Sequence, residues 1–141
     1  MIKRIMGLDV GEKRVGVALS DPLGITAQPH TVLERQDTKS LLDSIKNIID
    51  EYGVSKIVVG MPYDMKGEKG KSAEKIQEFI NILEKETGLE TDTADERFST
   101  AFSQKAMLEA DASRRKRKKN IDKIAAAVIL QGYLEKWEKQ N

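Results

Sequence analysis

The 141-residue chain contains no cysteine. That absence removes disulfides, thiolate zinc sites and cysteine nucleophiles together. Histidine is nearly absent too: His30 stands alone, so a histidine-based metal centre is excluded. A metal held by this chain would sit among oxygen ligands, which favours Mg²⁺, Mn²⁺ or Ca²⁺. Aromatic residues are scarce at 5% while charged residues reach 33%, the balance of a globular protein with exposed helix faces. Long apolar runs are missing as well. The longest, Ile124 to Leu130, falls far short of a membrane span, and Asp9 arrives too early to leave room for the apolar core of a signal peptide. The expectation is a cytoplasmic protein, with 1–141 forming a single domain around one ordinary core.

Charge is nearly balanced at +1 but unevenly placed. Residues 111–141 carry nine Lys/Arg against four Asp/Glu, which leaves the first 110 residues net negative. Most of the excess is one uninterrupted run, Arg114, Arg115, Lys116, Arg117, Lys118 and Lys119. Such asymmetry points to a polyanionic partner.

Apolar periodicity divides the chain into elements. Ile2 to Val10 and Arg14 to Ser20 read as strands joined by a tight turn at Gly11-Glu-Lys13. In the second strand Val15 and Val17 alternate with Gly16 and Ala18, so one face is small enough for a ligand or a helix to approach closely. Asp21-Pro-Leu-Gly24 is a turn signature, and a weaker strand is expected near Thr31 to Glu34. Leu41, Leu42, Ile45, Ile48, Ile49 and Tyr52 then recur at helical spacing, with Asp37 or Thr38 as N-cap and Gly53 as the stop. Lys56 to Gly60 has the β-branched character of a buried parallel strand. A loop over Met61 to Lys71 leads to a helix capped by Ser72, lined by Ile76, Phe79, Ile80 and Leu83, and ended by Gly88. Leu89 to Ala94 is a short strand delivering Asp95-Glu-Arg97. A helix from Ser99 to about Ala110 and a last helix capped by Asn120 complete the order. Strands that alternate with helices make parallel crossovers, here added to an antiparallel hairpin. The expected fold class is α/β, a mixed five-stranded sheet with strands 1–3 antiparallel and the later strands parallel, flanked by helices on both faces.

Three acids fall at element boundaries. Asp9 ends the first strand, Glu96 follows the last strand, and Asp122 opens the last helix after the basic run. Ligands of open α/β sheets collect beyond the carboxyl ends of the strands. If the first and last strands were parallel neighbours, Asp9 and Glu96 would meet there. Carboxylates brought together raise one another's pKa, and a divalent cation removes the conflict. Paired cations about 4 Å apart can activate water and stabilise a leaving oxygen in phosphodiester cleavage. Each acid also has a plainer role open to it. Asp9 suits a turn, Glu96 suits a surface pair with Arg97 or Lys105, and Asp122 suits the positive end of a helix dipole.

The motifs taken together resemble the YqgF/RuvX family. They are Gly7-Leu-Asp-Val-Gly-Glu-Lys-Arg-Val-Gly-Val-Ala18, Ser20-Asp-Pro-Leu-Gly24, Val58-Val-Gly-Met-Pro62, Asp95-Glu-Arg97, and Asp122-Lys-Ile-Ala-Ala126 with Ile129-Leu-Gln131. They cover nearly the whole chain in the family's order and spacing. The resemblance implies an RNase H-like fold and a cytoplasmic nuclease maturing the 5′ end of precursor 16S ribosomal RNA. A Holliday-junction resolvase acting on branched DNA is its second implied activity. It implies Asp9, Glu96 and Asp122 as catalytic acids holding one or two Mg²⁺ or Mn²⁺ ions. One departure is Phe98-Ser99, where the family often has Leu-Thr.

Backbone-contacting residues are read from charge and position. The run Arg114 to Lys119 leads straight to Asp122, so phosphates drawn along it would arrive at the acids, although a solvated loop is the plainer alternative. Lys66, Lys69 and Lys71 form a second candidate patch, and Arg14 and Arg97 are candidates for phosphate charge near the acids. The expected partners are structured RNA or branched DNA, with ribosomal particles in addition and no membrane, for a monomer or weak homodimer. Two other readings stay open. One is an ATP-binding lobe of the actin and sugar-kinase class, and the other is a non-catalytic nucleic-acid-binding module. Replacing all six residues of the basic run with Gln is expected to flatten the slope of log affinity against log salt by up to about 4–5 for nucleic acid. An unchanged slope in a salt titration would remove the run from the binding surface.

Overall fold

The computed structural model describes residues 3–62, 70–95 and 114–140, with 114–120 and 137–140 described by their backbone alone. Its strands are β1 (Arg4–Val10), β2 (Arg14–Ser20), β3 (Ala27–Glu34), β4 (Val54–Met61) and β5 (Glu90–Asp95). The helices are α1 (Thr38–Tyr52), α2 (Lys71–Thr87) and α3 (Arg114–Gln140). The sheet runs β3-β2-β1-β4-β5. β1 pairs antiparallel with β2, β2 antiparallel with β3, and β1, β4 and β5 run parallel. This is the mixed five-stranded arrangement expected from the order of elements. One conditional expectation fails: β1 and β5 are not neighbours, because β4 lies between them and pairs with both. The β-branched Ile57-Val-Val59 is buried on both sides and takes the central parallel position.

Alternation along the strands sorts the core into two layers. Met6 and Leu8 of β1, Val15, Val17 and Leu19 of β2, and Ile57, Val59 and Met61 of β4 pack under α1 and α2. The opposite face is made of small residues. There Ala18 and Val58 meet Ala126, Ala127, Ile129, Leu130 and Leu134 of α3. Gly7 and Gly16 lie on this same face, and their lack of a side chain sets how near α3 can come. A Cβ on Gly7 would stand 2.7 Å from the Leu130 Cβ. The close approach foreseen at Gly16 and Ala18 is thus made by a helix.

Local chemistry sets the element ends. Asp37 caps α1 by accepting from the Ser40 backbone N–H at 2.7 Å and the Ser40 hydroxyl at 3.0 Å. Gly53 and Gly88 end their helices with φ of 69° and 70°. Ser72 is not a cap: α2 starts one residue earlier, and Gly70 holds the cap position with no side-chain bond. Asn120 is not a cap either, because α3 already begins at Arg114. Arg and Lys are good helix formers and no Pro or Gly interrupts residues 114–131, so the helix extends through the basic run. That run is therefore helical in its backbone rather than a loop, and Asp122 lies well inside α3. β3 also begins earlier than expected, at Ala27. His30 is the extra residue where its register against β2 shifts, and its ring packs edge-on against Tyr52 at 4.8 Å. The helix expected over Ser99 to Ala110 lies outside the described residues. Among the described residues no helix is long and apolar enough to cross a membrane.

Two long-range clamps hold α3 to the sheet. The Gln131 side chain accepts from the Ala27 backbone N–H at 2.9 Å and donates to the Ile25 carbonyl at 3.1 Å, so it acts like a piece of neighbouring strand. At the β5 edge, the Tyr133 hydroxyl donates to Asp92 at 2.8 Å and Lys56 sits 5.2 Å from the Tyr133 ring. Burial alone would lower the Lys56 pKa, but the Tyr133 hydrogen bond with the nearby Glu90 and Asp92 carboxylates leaves it raised.

Hydrogen bonds from Ser40 hold the Asp37 carboxyl below its ordinary value. Its contribution is complete above the unfolded-state carboxylate range and disappears as pH falls through the lower folded value. Asp37→Ala is expected to lower Tm at neutral pH, and the melting curves of the two proteins should converge in acid. A gap that persisted unchanged at low pH would refute the ionised cap.

Candidate active site

Asp9 is the penultimate residue of β1 and lies directly opposite Gly16 of β2. Directly paired residues of an antiparallel ladder project to the same face, so Asp9 faces the α3 side with Gly16 and Arg14. α3 crosses that face at this point. A Cβ placed on Gly16 would overlap the backbone carbonyl of Asp122. The absent side chain of Gly16 is the space that seats the Asp122 backbone on the face to which Asp9 also projects. Both acids are half-buried.

Arg14 completes the pairing. Its Nε donates to Asp122 Oδ2 at 3.2 Å, with about a third of each side chain exposed. Burial pushes the Asp122 carboxyl up from its ordinary value; the Arg14 guanidinium pulls it back, while Glu34, paired with Arg14 across β2 and β3, adds to the upward push. The net direction is upward, so the charged form of Asp122 lacks full compensation from Arg14 alone. A cleft of about 160 Å³ opens here, lined by Gly11, Glu12, Lys13, Arg14 and Asp122. Its walls carry both signs of charge, which suits a phosphate held next to a cation. Lys13 was not singled out from the sequence as a candidate, although it sits next to Arg14 in the turn that forms the cleft.

Several expected site residues are not brought together by what is described. Glu96, Arg97, Lys66 and Lys69 lie outside the described residues. Lys71 is the exposed first residue of α2 and does not line the cleft. For Arg114, Arg115, Lys116, Arg117, Lys118 and Lys119 the backbone is helical and leads into Asp122 from the N-terminal side.

The donor set can be weighed against a metal on these grounds. Among the described residues no three acids cluster closely enough to hold an ion. The described part does provide two carboxylates on one face, a seat cleared by Gly16, and one carboxyl whose charge is under-compensated. Carboxylate oxygens are the ligands of hard cations such as Mg²⁺ and Mn²⁺. The chemistry of Asp9 and Asp122 fits such an ion.

Comparison with known proteins shows what the chain as a whole is similar to. A family model described as RuvX: Holliday junction resolvase matches residues 3–136. A protein of Clostridium kluyveri named "Putative pre-16S rRNA nuclease" is 51% identical over 96% of this chain and 99% of its own length. A protein of the same name from Desulforamulus reducens is 52% identical over the same shares. Among solved structures, Thermus thermophilus RuvC in complex with a Holliday junction substrate superposes with a TM-score of 0.59 at 11% identity, covering 96% of both chains. The Fowlpox virus resolvase with its Holliday junction DNA superposes with a TM-score of 0.60 at 16% identity, covering 97% of this chain and 99% of its own. At those identities the likeness is one of fold.

Gly16→Ala is expected to cost about 1–3 kcal/mol in denaturant unfolding, because the new methyl meets helix backbone rather than a flexible side chain. Gly132→Ala, in α3 with nothing near its Cβ position, should instead stabilise by about 0.5–1 kcal/mol. Equal effects at the two positions would contradict the Gly16 seat.

Proposed function

This chain belongs to the RuvX family, and from that premise we propose that it is a divalent-metal-dependent endonuclease that hydrolyses nucleic-acid phosphodiesters. Its proposed substrate is the 5′ end of precursor 16S ribosomal RNA. The observation that carries the chemistry is the seating of Asp122 against Gly16, opposite Asp9. The substrate follows from relatives about half identical over nearly their full length that carry the pre-16S nuclease name.

Asp9, Asp122 and Glu96 would hold the ion, and when bound it supplies Lewis acidity and a water of lowered pKa. The protein's own part is positioning. β1 and α3 are fixed by buried packing, so the two described carboxylates keep their separation without reorganisation. Arg14 donates to Asp122 in the resting arrangement. Its planar guanidinium fork is also suited to a phosphate oxygen entering the same cleft. Lys13 in the same cleft adds a second cation to hold the strand. His30 takes no part as a base, since it packs on Tyr52 of α1, whereas Asp122 belongs to the opposite face of the sheet.

A second reading, resolution of four-way DNA junctions, is favoured by the family description and by structural likeness to two resolvases solved with junction DNA. Junction resolution by paired cuts calls for two sites related by a two-fold axis, so it predicts a dimer on junction DNA.

The test is cleavage in Mg²⁺ or Mn²⁺ of precursor 16S RNA, a four-way DNA junction and single strands, by wild type, Asp9→Asn and Asp122→Asn. Wild type should cut the precursor at its mature 5′ end, with each variant slowed by at least about 100-fold. Cutting of the junction alone would move the assignment to the second reading, and no cutting of anything would refute the nuclease. Metal response gives a readout without turnover. At 100 times Kd the ion should stabilise wild type by about 2.7 kcal/mol, and it should leave the melting of both variants nearly unmoved.

A further inference from the structure

The β1–β2 turn has a second side. Gly11 and Glu12, which line the cleft at Asp122, also line another cleft of about 240 Å³ that opens toward α2. Its polar walls come from Arg35, after β3, and from Ser72 and Lys75 in α2, with Pro62 closing one side. Nothing in the proposed chemistry uses these residues.

Arg35 is held in place before any ligand arrives. Its Nη1 donates to the Gly11 carbonyl at 2.8 Å, its backbone N–H donates to the Lys13 carbonyl at 2.9 Å, and its guanidinium lies 5.6 Å from the Phe79 ring centroid. A guanidinium has five N–H donors, and the Gly11 bond uses one of them. Among the described residues neither Arg35 nor Lys75 forms an ion pair. Two cations therefore flank a cleft in which, among the described lining residues, Glu12 is the opposing charge. At Gly11 the crest between the clefts carries no side chain, and a Cβ there would press on the Arg14 carbonyl at 2.9 Å.

We propose that this second cleft binds a backbone phosphate of the same nucleic-acid strand, flanking the phosphate presented to Asp9 and Asp122. The assignment rests on the nuclease reading for its direction, since the strand is located by the first cleft. Phosphate is the chemistry indicated because Arg35 offers a preset fork and Lys75 a mobile point charge, the two side-chain types that hold phosphate oxygens. A strand is favoured over a free anion because the two clefts adjoin at Gly11, so a chain of phosphates passing over that glycine meets both. The contact carries no sequence information; it sets which phosphate along the strand is cut.

The experiment measures binding in the absence of divalent metal, so that nothing is cut. Fluorescence anisotropy of a precursor-rRNA hairpin and of a four-way DNA junction is titrated with salt for wild type, Lys75→Gln, Arg35→Lys and a charge control, Lys85→Gln. Lys75 and Lys85 are both exposed on α2, so neither change threatens folding. Lys75→Gln should reduce the slope of log affinity against log salt by about 0.7–0.9, one phosphate contact, and Lys85→Gln should leave it unmoved. A single methylphosphonate placed next to the cut position should cause the same loss, and combining it with Lys75→Gln should add nothing. Arg35→Lys keeps the charge, so it should keep the slope while shifting the cut position once metal is restored. Equal slopes for Lys75→Gln and Lys85→Gln would overturn the proposal even if cleavage is intact. Binding of inorganic phosphate that depends on Lys75, with no Lys75-dependent part in strand binding, would overturn it in favour of a free-anion site. If wild type cuts nothing with metal added while the Lys75 effect persists, the nuclease reading fails and the phosphate cleft stands.

Discussion

How closely α3 lies against β1 and β2 governs both the packing and the site. A helix packed over ordinary strand residues is held off by their side chains. Here Gly7 and Gly16 remove two of those side chains, and Ala18 shortens a third, so the helix backbone itself meets the sheet. One consequence is energetic, because Leu130, Ala126 and Leu134 are buried without a thick layer of intervening core. The other is chemical. An aspartate from a helix and an aspartate from a strand arrive on the same face at the same level of the sheet. Any bulk at Gly16 would trade away both.

The two faces of the sheet divide the work accordingly. The α1 and α2 face is large, aliphatic and continuous, and it supplies most of the burial that holds the strands in register. The α3 face is small and bounded by polar fixtures: Gln131 against the start of β3, Tyr133 with Asp92 and Lys56 at the far edge, and the Asp122–Arg14 pair at the carboxyl end of β1. The first two are satisfied structural contacts, directed at backbone or closed on themselves. The third differs because burial leaves the Asp122 carboxyl raised in spite of Arg14. A carboxylate left under-compensated by its partner is a poor choice for stability and a good one for holding a cation.

Much of this was legible in the chain. The bounds of β2 are legible because alternation of Val with small residues has a strand period and is closed by turn formers on both sides. The α1 cap and stop were legible because Asp37 and Gly53 act through local hydrogen bonds and positive φ, which depend on near neighbours alone. Local cues mislead where they compete. Ser72 and Asn120 are residue types that favour caps, yet each lies inside a helix, since the residues upstream of it adopt helical conformation. The role of Arg35 was not legible at all. Its partners are a carbonyl 24 residues away and the ring of Phe79 in α2, and no spacing rule connects them.

Which chemistry is available can be read from the amino acids alone: acids without cysteine, one histidine, glycines beside strand acids, and a block of positive charge near the last of the acids. These are properties of residue type and near-neighbour order, so they survive without coordinates. Which groups meet is a matter of the fold. It inserted β4 between β1 and β5, carried α3 back through the basic run, and set the Asp122 carbonyl over Gly16 opposite Asp9. The distance between the two aspartates along the chain contains no information about their distance in space. That is settled by a helix able to approach a sheet as closely as two missing side chains allow.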